Sequence, residues 1–416
     1  RLRRKFGKIK RGPIMDAVIN TFGLEPMSST VSGPNVATTL AQYVSPHGTR
    51  AFIITDAGVN GAGVVKPITD ALTTAGMKWQ VFDQVSPNPT DLNVAAGVAA
   101  INKFGLEGTV VVLIGGGSVM DCGKYIALAA PNGVDHVGLA FAPELDANDR
   151  IDFSTLAPKF SASKPGLPTI AIPTTSGTAS ETNGAGLITD TSDPAHHRKL
   201  LFINPLLRPR TILLDPTLTV GMPAKGTAAC GMDVLTHAIE AHTSVKSNPY
   251  GDALALHAIR LVAKYLPIAV KNGADLEARA NMQIASHLAG RAFSSGPQLG
   301  MVHALGHPIS GQLHQAHGQT LATMLPHVMR FNRDVVAARY ANVGEALGTE
   351  VDPDAAIAAV EKLSATVGTN RKLSDLGATS DNIGSLTQDA LRDLTILTTP
   401  RYPSRGEVHE LYAKAL

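Results

Sequence analysis

Apolar and polar positions along the chain fall into two regimes. From about Ser29 to Asp215, short β-rich runs alternate with stretches of helical spacing. Arg50-Ala-Phe-Ile-Ile-Thr55 reads as a buried strand ended by Asp56-Ala-Gly. The spacing over Val64–Ala75 then predicts a helix that Gly76 closes as a C-cap. Trp79–Phe82 predicts a second strand, stopped by Ser86-Pro-Asn-Pro-Thr90, and Asp91–Phe104 a helix with Gly105 just past its end. Thr109–Ile114 is apolar almost throughout, the pattern of a strand covered on both faces. Strand, helix, strand, helix, strand in this order predicts an α/β fold with a doubly wound parallel sheet. Beyond about Pro216 the strand signals stop. Ala224–Thr243, Gly251–Val270, Asp275–Phe293, Val335–Leu347 and Ala355–Val367 all predict helices. The expected division is therefore 1–28 as a basic extension, 29–212 as an α/β domain and 213–416 as an all-helical domain. No repeat recurs at a 20–50 residue period, which excludes a solenoid.

Composition narrows the class. The 416 residues include 36 Lys+Arg against 34 Asp+Glu, a formal net charge of +2. So small an imbalance gives no field for holding a polyphosphate backbone, and nucleic acid is not an expected partner. Apolar residues make up 44% and charged residues 17%, the balance of a compact globular chain. The longest apolar stretch, Thr109 to Met120, is broken by three glycines and falls short of a membrane span, so no membrane association is expected. Cys122 and Cys230 are the only cysteines, which excludes a disulfide framework and points to a reducing, cytoplasmic setting. Residues 1–12 depart from this average, with seven Lys or Arg and no acid. They read either as a processed or tagged terminus or as a short basic docking or targeting segment. Lacking an apolar core, the segment does not read as a secretory signal.

Two loops could carry chemistry. Ile114-Gly-Gly-Gly-Ser118 follows the strongest strand and precedes a helix expected to begin near Asp121. Glycines there let the backbone approach a phosphate, and free N–H groups at a helix start bind its charge. The spacing is not the usual G-x-G-x-x-G, and a tight structural turn would look similar. The second loop, Pro173-Thr-Thr-Ser-Gly-Thr-Ala-Ser180, puts five hydroxyls at the carboxyl end of Thr169-Ile-Ala-Ile, where open α/β sheets place ligands. Asp56, also at a strand end, could accept from an adenosine ribose or simply cap a turn.

Histidine gives the strongest signal. Five of the 14 histidines (His303, His307, His314, His317, His327) fall within 25 residues. Upstream, Asp233 and His237 stand at i, i+4, on one helix face a turn apart, and His303 and His307 share that spacing. Several histidines beside an aspartate cost desolvation unless something pairs with them. A divalent metal site is expected, and the donor set suits Fe(II), Zn or Ni better than Mg or Ca.

Taken together these residues resemble the iron-containing, group III alcohol dehydrogenases. The resemblance runs from about Ser29 to Leu416. It rests on Thr55-Asp56, Pro87-Asn-Pro-Thr90, Gly115-Gly-Gly-Ser118 and Pro173-Thr-Thr175 in the first half. In the second half it rests on Asp215-Pro, Met222-Pro, Gly231-Met-Asp-Val-Leu-Thr-His-Ala-Ile-Glu240, Val302-His-Ala-Leu-Gly-His-Pro308, His317-Gly and Leu325-Pro-His-Val-Met329. It implies a dehydroquinate synthase-like fold, a dinucleotide-binding first domain and a metal-binding helical second domain. By position, Asp233, His237, His303 and His317 would hold the metal, with Fe(II) foremost and Zn, Ni or Mn as alternatives. His307 would face the substrate without being a ligand. Gly116, Gly117 and Ser118 would bind the cofactor pyrophosphate, and Asn88, Thr174, Thr175 and Lys199 would line the nucleotide and nicotinamide cleft. Asp56 matches the position that reads the adenosine ribose, and an acid there repels a 2′-phosphate, so NAD is the implied cofactor. A homodimer or higher homo-oligomer is implied as well. The chain departs from the family pattern at Val119, at His196-His197-Arg198, and at Gln298 and Met301, which border the metal helix.

The expected activity is hydride transfer between NAD and a primary alcohol (or diol) and its aldehyde, with His307 relaying the proton, since imidazole titrates near neutrality. Two rivals share the fold: a hydroxyacid–oxoacid transhydrogenase, and a metal-free maleylacetate reductase, against which the intact Asp/His set argues. A catalytically silent assembly protein docking through its basic terminus is the non-enzymatic alternative.

Overall fold

The structure is a computed structural model that describes residues 23–24, 27–158, 160–194 and 197–416. The basic segment 1–12 and His196 lie outside the described residues. Eight strands are described: β1 (Ser29–Ser32), β2 (Arg50–Ile54), β3 (Lys78–Phe82), β4 (Thr109–Gly115), β5 (Thr169–Pro173), β6 (Ala185–Asp190), β7 (Arg198–Ile203) and β8 (Thr211–Leu214). The helices among them are α1 (Ala41–Val44), α2 (Ala57–Gly61), α3 (Lys66–Thr74), α4 (Asp91–Phe104) and α5 (Gly117–Asn132). Six strands form one sheet in the order β1-β8-β5-β4-β2-β3, every neighbouring pair parallel. This is the expected α/β arrangement.

The apolar run that marks β4 is explained by its place in the middle of that sheet. Every residue of β4 is buried. Val111 and Leu113 join the cluster beneath α4 and α5, while Val110, Val112 and Ile114 join the cluster beneath α3 on the opposite face. Helix α3 follows β2 onto one face and α5 follows β4 onto the other. The two connections therefore part company between adjacent strands, which opens the crevice where doubly wound sheets take their ligands.

Local signals set the helix ends. Asp91–Phe104 is helical over its expected length, opened by a Thr90–Asn93 capping box and closed by Gly105 at φ 97°. The helix after the glycine loop begins at Gly117, four residues earlier than the expected start near Asp121. Gly116 is its N-cap and offers no side-chain oxygen, so the first-turn N–H groups remain free toward the crevice. Strands β6 and β7 were not foreseen. They form an antiparallel hairpin with Ala185 opposite Ile203 and Asp190 opposite Arg198.

After β8 the chain is helical: α6 (Ala224–Thr243), α7 (Pro249–Lys271), α8 (Leu276–Ser294), α9 (Met301–Gln312), α10 (His317–Asn332), α11 (Ala337–Ala346), α12 (Pro353–Val367), α13 (Ile383–Arg392) and α14 (Arg405–Ala415). They bury a core of their own that includes Leu235, Ile259, Leu305 and Leu325. Helix α7 is long and apolar enough to cross a membrane, but Ala255, Ile259, Val262 and Leu266 on it face this core.

Candidate metal centre and cofactor cleft

Helix α6 carries Asp233 and His237 one turn apart, α9 brings His303, and His317 opens α10. Their side chains converge on Asp233 Oδ1, with Nε2 of His237 at 3.3 Å, of His303 at 3.7 Å and of His317 at 3.8 Å. Asp233, His303 and His317 offer three donor atoms within 4.8 Å of one another, and His237 stands just outside that group. Asp233 Oδ1 and His303 Nε2 are buried without a hydrogen-bond partner. A buried carboxylate oxygen and imidazole nitrogen left in that state cost free energy, and a cation between them would satisfy both.

Electrostatics favour the same occupant. Burial alone would raise the Asp233 carboxyl, yet the imidazoles of His237, His317 and His303 hold it well below the usual carboxylate range. Burial pushes His237 down to about 4 and His317 well below the ordinary imidazole value, so both offer neutral lone pairs. Burial acts in the same direction on His303, but Glu240 and Asp233 outweigh it and raise the imidazole to about 9. A site that draws a proton onto His303 is a site with surplus negative charge, which a divalent cation neutralises. Glu240 fixes the ring. Its Oε2 lies 2.5 Å from His303 Nδ1 and accepts from Gly300 N–H at 3.0 Å, while Oε1 accepts from Val302 N–H at 2.5 Å. A carboxylate behind a ligating imidazole sets its tautomer and orientation.

Above these residues lies a cleft of about 900 Å³, counting space open to solvent. Asn88, Gly117, Ser118, Lys199, His237, His303, His307 and His317 all line it, so the expected nucleotide and metal residues meet in one space. Four others stand behind or beside it. Gly116 backs onto the Thr175 side chain, and a Cβ there would come 3.0 Å from Thr175 Cγ2. Thr174 is buried, its N–H donating to Gly115 O at 3.0 Å. Asp56 caps α2, its Oδ1 accepting from Val59 N–H at 2.9 Å at the carboxyl end of β2. Met301 does not face the cleft. It is 1% exposed and packs into the helical core, and Leu299 takes the lining position on that segment.

Four contributors, Asp393, Lys124, Asp121 and Glu240, carry no role in the sequence pattern. Asp393 Oδ2 lies 2.6 Å from His307 Nδ1. Lys124, fully buried on α5, donates to Ser180 O at 2.7 Å and Ser180 Oγ at 2.6 Å, and also reaches Ala185 O. Asp121 bonds the same Ser180 hydroxyl and accepts from Leu187 N–H at 2.9 Å, tying the glycine-loop helix to the hairpin that carries Lys199. Burial brings Lys124 and Lys199 each down to about 8. Glu240, within a quoted motif but without a role, is signalled by its place one turn beyond His237. Asp393 has no comparable local signal.

Comparison with known proteins accords with this geometry. The iron-containing alcohol dehydrogenase family model matches residues 27–216, and that of the Fe-containing alcohol dehydrogenase family, C-terminal, matches residues 227–416. The chain is 37% identical over 399 residues to the probable alcohol dehydrogenase EutG of Escherichia coli (strain K12), covering 95% of each chain. It is 33% identical over 377 residues to the NAD-dependent methanol dehydrogenase of Bacillus methanolicus, covering 88% of this chain and 92% of that one. The crystal structure of a 1,3-propanediol oxidoreductase matches it with a TM-score of 0.85 at 33% identity, over 95% of this chain and 100% of that one. The chain belongs to the iron-containing alcohol dehydrogenase family. It is an oxidoreductase, and iron and NAD are the cofactors that go with that membership.

Proposed function

We propose that the chain interconverts a primary alcohol, or a diol, and its aldehyde by hydride transfer to or from NAD. The observation that carries this reading is the convergence of three imidazoles on the orphaned Asp233 Oδ1 at the floor of a cleft walled by the glycine loop. A divalent ion bound by Asp233, His237, His303 and His317, Fe(II) foremost, supplies Lewis-acid polarisation of the substrate oxygen.

The chain's own residues do the rest. Gly117 and Ser118 cradle the pyrophosphate with the free N–H groups that start α5, and Gly116 keeps the loop close against Thr175. Asn88 and Lys199 border the nicotinamide, Thr174 and Thr175 support that wall, and Asp56 receives the ribose hydroxyls. Asp393 accepts from His307 Nδ1–H and so turns Nε2 toward the cleft, where it passes the alcohol proton to solvent. The domains are taken as 29–212 for the dinucleotide and 213–416 for the metal, in a cytoplasmic homodimer or higher homo-oligomer.

The test combines elemental mass spectrometry on protein purified without added metal with NAD reduction assayed on short primary alcohols. A single iron, zinc or nickel ion per chain is expected, with activity lost on chelation and restored by one metal. Turnover without added NAD would instead indicate a transhydrogenase. No metal, and no activity after reconstitution with each ion, would overturn the reading.

A further inference from the structure

One stretch of the α/β half crosses onto the helical half beside the cleft. It is anchored to β7 where Phe141 N–H donates to Leu201 O at 2.7 Å. It then folds back on itself through the Leu145–Ile151 bridge, with Asp146 Oδ1 accepting from the N–H groups of Asn148 and Arg150 at 2.8 and 3.0 Å. Three contacts pin its tip to the helices. Ile151 is buried within the helical core, Asp149 receives Arg405 of α14 at 2.9 and 2.5 Å, and the Arg150 guanidinium lies 3.8 Å above the Tyr402 ring.

Glu144 sits at the root of this strap. Its Oε1 lies 3.1 Å from Arg198 Nη1 and its Oε2 lies 2.6 Å from Arg392 Nη2, while Arg198 Nη2 also donates to Pro143 O at 3.2 Å. Arg198 immediately precedes Lys199 on β7, and Arg392 immediately precedes Asp393, which holds His307. One carboxylate therefore joins the backbone beside the cofactor wall to the backbone beside the substrate wall. Its side chain is 45% exposed, and ion pairs that open to water add little stability. What two guanidiniums gripping one carboxylate from opposite walls do supply is a fixed separation.

We propose that Glu144 is a positioning residue for hydride transfer, holding the Lys199 wall and the Asp393–His307 wall of the cleft at one distance. Hydride transfer needs the donor and acceptor carbons within about 3–3.5 Å, and a misplacement of about 1 Å costs on the order of a hundredfold. The inference rests on the reading of this cleft as the site of hydride transfer.

The test compares E144A and E144Q with R405A, which releases the far end of the strap and leaves Glu144 paired. Three readouts are taken on the metal-loaded protein: kcat with KM for NAD, the primary deuterium isotope effect with carbinol-deuterated alcohol, and amide hydrogen exchange. E144A is expected to lower kcat by about tenfold or more and to raise the isotope effect. It is also expected to speed exchange in residues 198–201 and 389–394 together, with E144Q intermediate. R405A is expected to leave all three near native, even where it lowers the melting temperature. Native kcat and isotope effect in E144A would overturn the proposal, as would an equal loss in R405A, because the strap would then act only as general adhesion. If the native protein shows no alcohol-dependent NAD reduction with any metal, the reading of the cleft fails. The exchange comparison then still decides whether Glu144 couples the two walls.

Discussion

His307 Nδ1 lies 2.6 Å from Asp393 Oδ2, a pairing across 86 positions of sequence that no local spacing announces. Asp393 is itself anchored, its Oδ1 accepting from the N–H and hydroxyl of Thr395 at 2.9 and 2.6 Å. Burial would raise this carboxyl, but His307 and the Thr395 bonds outweigh it and bring it down to about 2. The carboxylate is therefore ionised wherever the enzyme works, and it fixes the imidazole proton on Nδ1. Asp393→Asn preserves shape but abolishes that preference. We expect it to lower kcat by about a hundredfold and to alter the pH profile, with His307→Ala losing a similar amount. The double variant should be no worse than His307→Ala, since the two groups act as one unit. Steady-state kinetics across pH check this, and native kcat with an unchanged profile in either single variant would remove His307 from the proton path.

Glu240 should govern how tightly the metal is held although it touches none of it. It bonds His303 Nδ1 and two backbone N–H groups at the start of α9, so it sets both the ring and the helix that carries it. Glu240→Gln keeps the volume and one acceptor but loses the charge behind the imidazole. An outer carboxylate of this kind is worth about 10–100-fold in metal affinity. Competition titration against a chelator should show a loss of that size, while Asp233→Asn should remove binding altogether. Equal affinity in Glu240→Gln and native protein would mean that the ring is held by packing alone.

Features set by neighbouring residues are legible in the sequence, and those set by distant partners are not. The continuous apolar run of β4 is a direct consequence of burial on both faces, and the Thr90 and Gly105 signals bound α4 because capping acts within a few residues. The grouping of Asp233, His237, His303 and His317 has local signals for the same reason, an i, i+4 pair on α6 and a histidine cluster across α9 and α10. The β6–β7 hairpin escaped because its pattern is mixed and a polar segment separates its strands. Asp393, Lys124 and Glu144 escaped because each acts through a partner far along the chain or in the other half. Met301 borders the helix that carries His303, as its first residue, and its side chain is buried in the helical core rather than in the cleft wall.

Asp56 offers a clean separation of stability from cofactor choice. Its Oδ1 already serves α2 as an N-cap through Val59 N–H at 2.9 Å, and asparagine caps equally well. Asp56→Asn should therefore leave the melting temperature near native, within the effect of about ±0.5 kcal/mol typical of neutral surface changes. Removing the charge withdraws an acceptor from the ribose hydroxyls and the repulsion against a 2′-phosphate. The ratio of kcat/KM for NAD over NADP should fall by about tenfold or more, the worth of one charged hydrogen bond. A preserved ratio in a stable variant would mean that Asp56 is only a cap.

Lys124 leads to a prediction about alkaline stability. Its ammonium is fully buried among Ser180 O, Ser180 Oγ and Ala185 O, and burial lowers it to about 8 against the pull of Asp121 and Glu181. In the unfolded chain the same group titrates near ~10.4. Between those values the unfolded state binds more protons than the folded one, so stability rises with pH across the window. Below pH 8 both states are protonated and the cost of burying the charge is carried in full. Above ~10.4 both are neutral and it is gone. Lys124→Met removes this dependence while also deleting the bonds to the Ser180 loop. The variant should be less stable than native protein at every pH, and the gap should widen by on the order of 2–3 kcal/mol between pH 8 and 10.4. Denaturant melts at half-unit pH steps would measure it. A gap that stays constant or narrows as pH rises would show that the folded protein does not lower the Lys124 ammonium below its unfolded value.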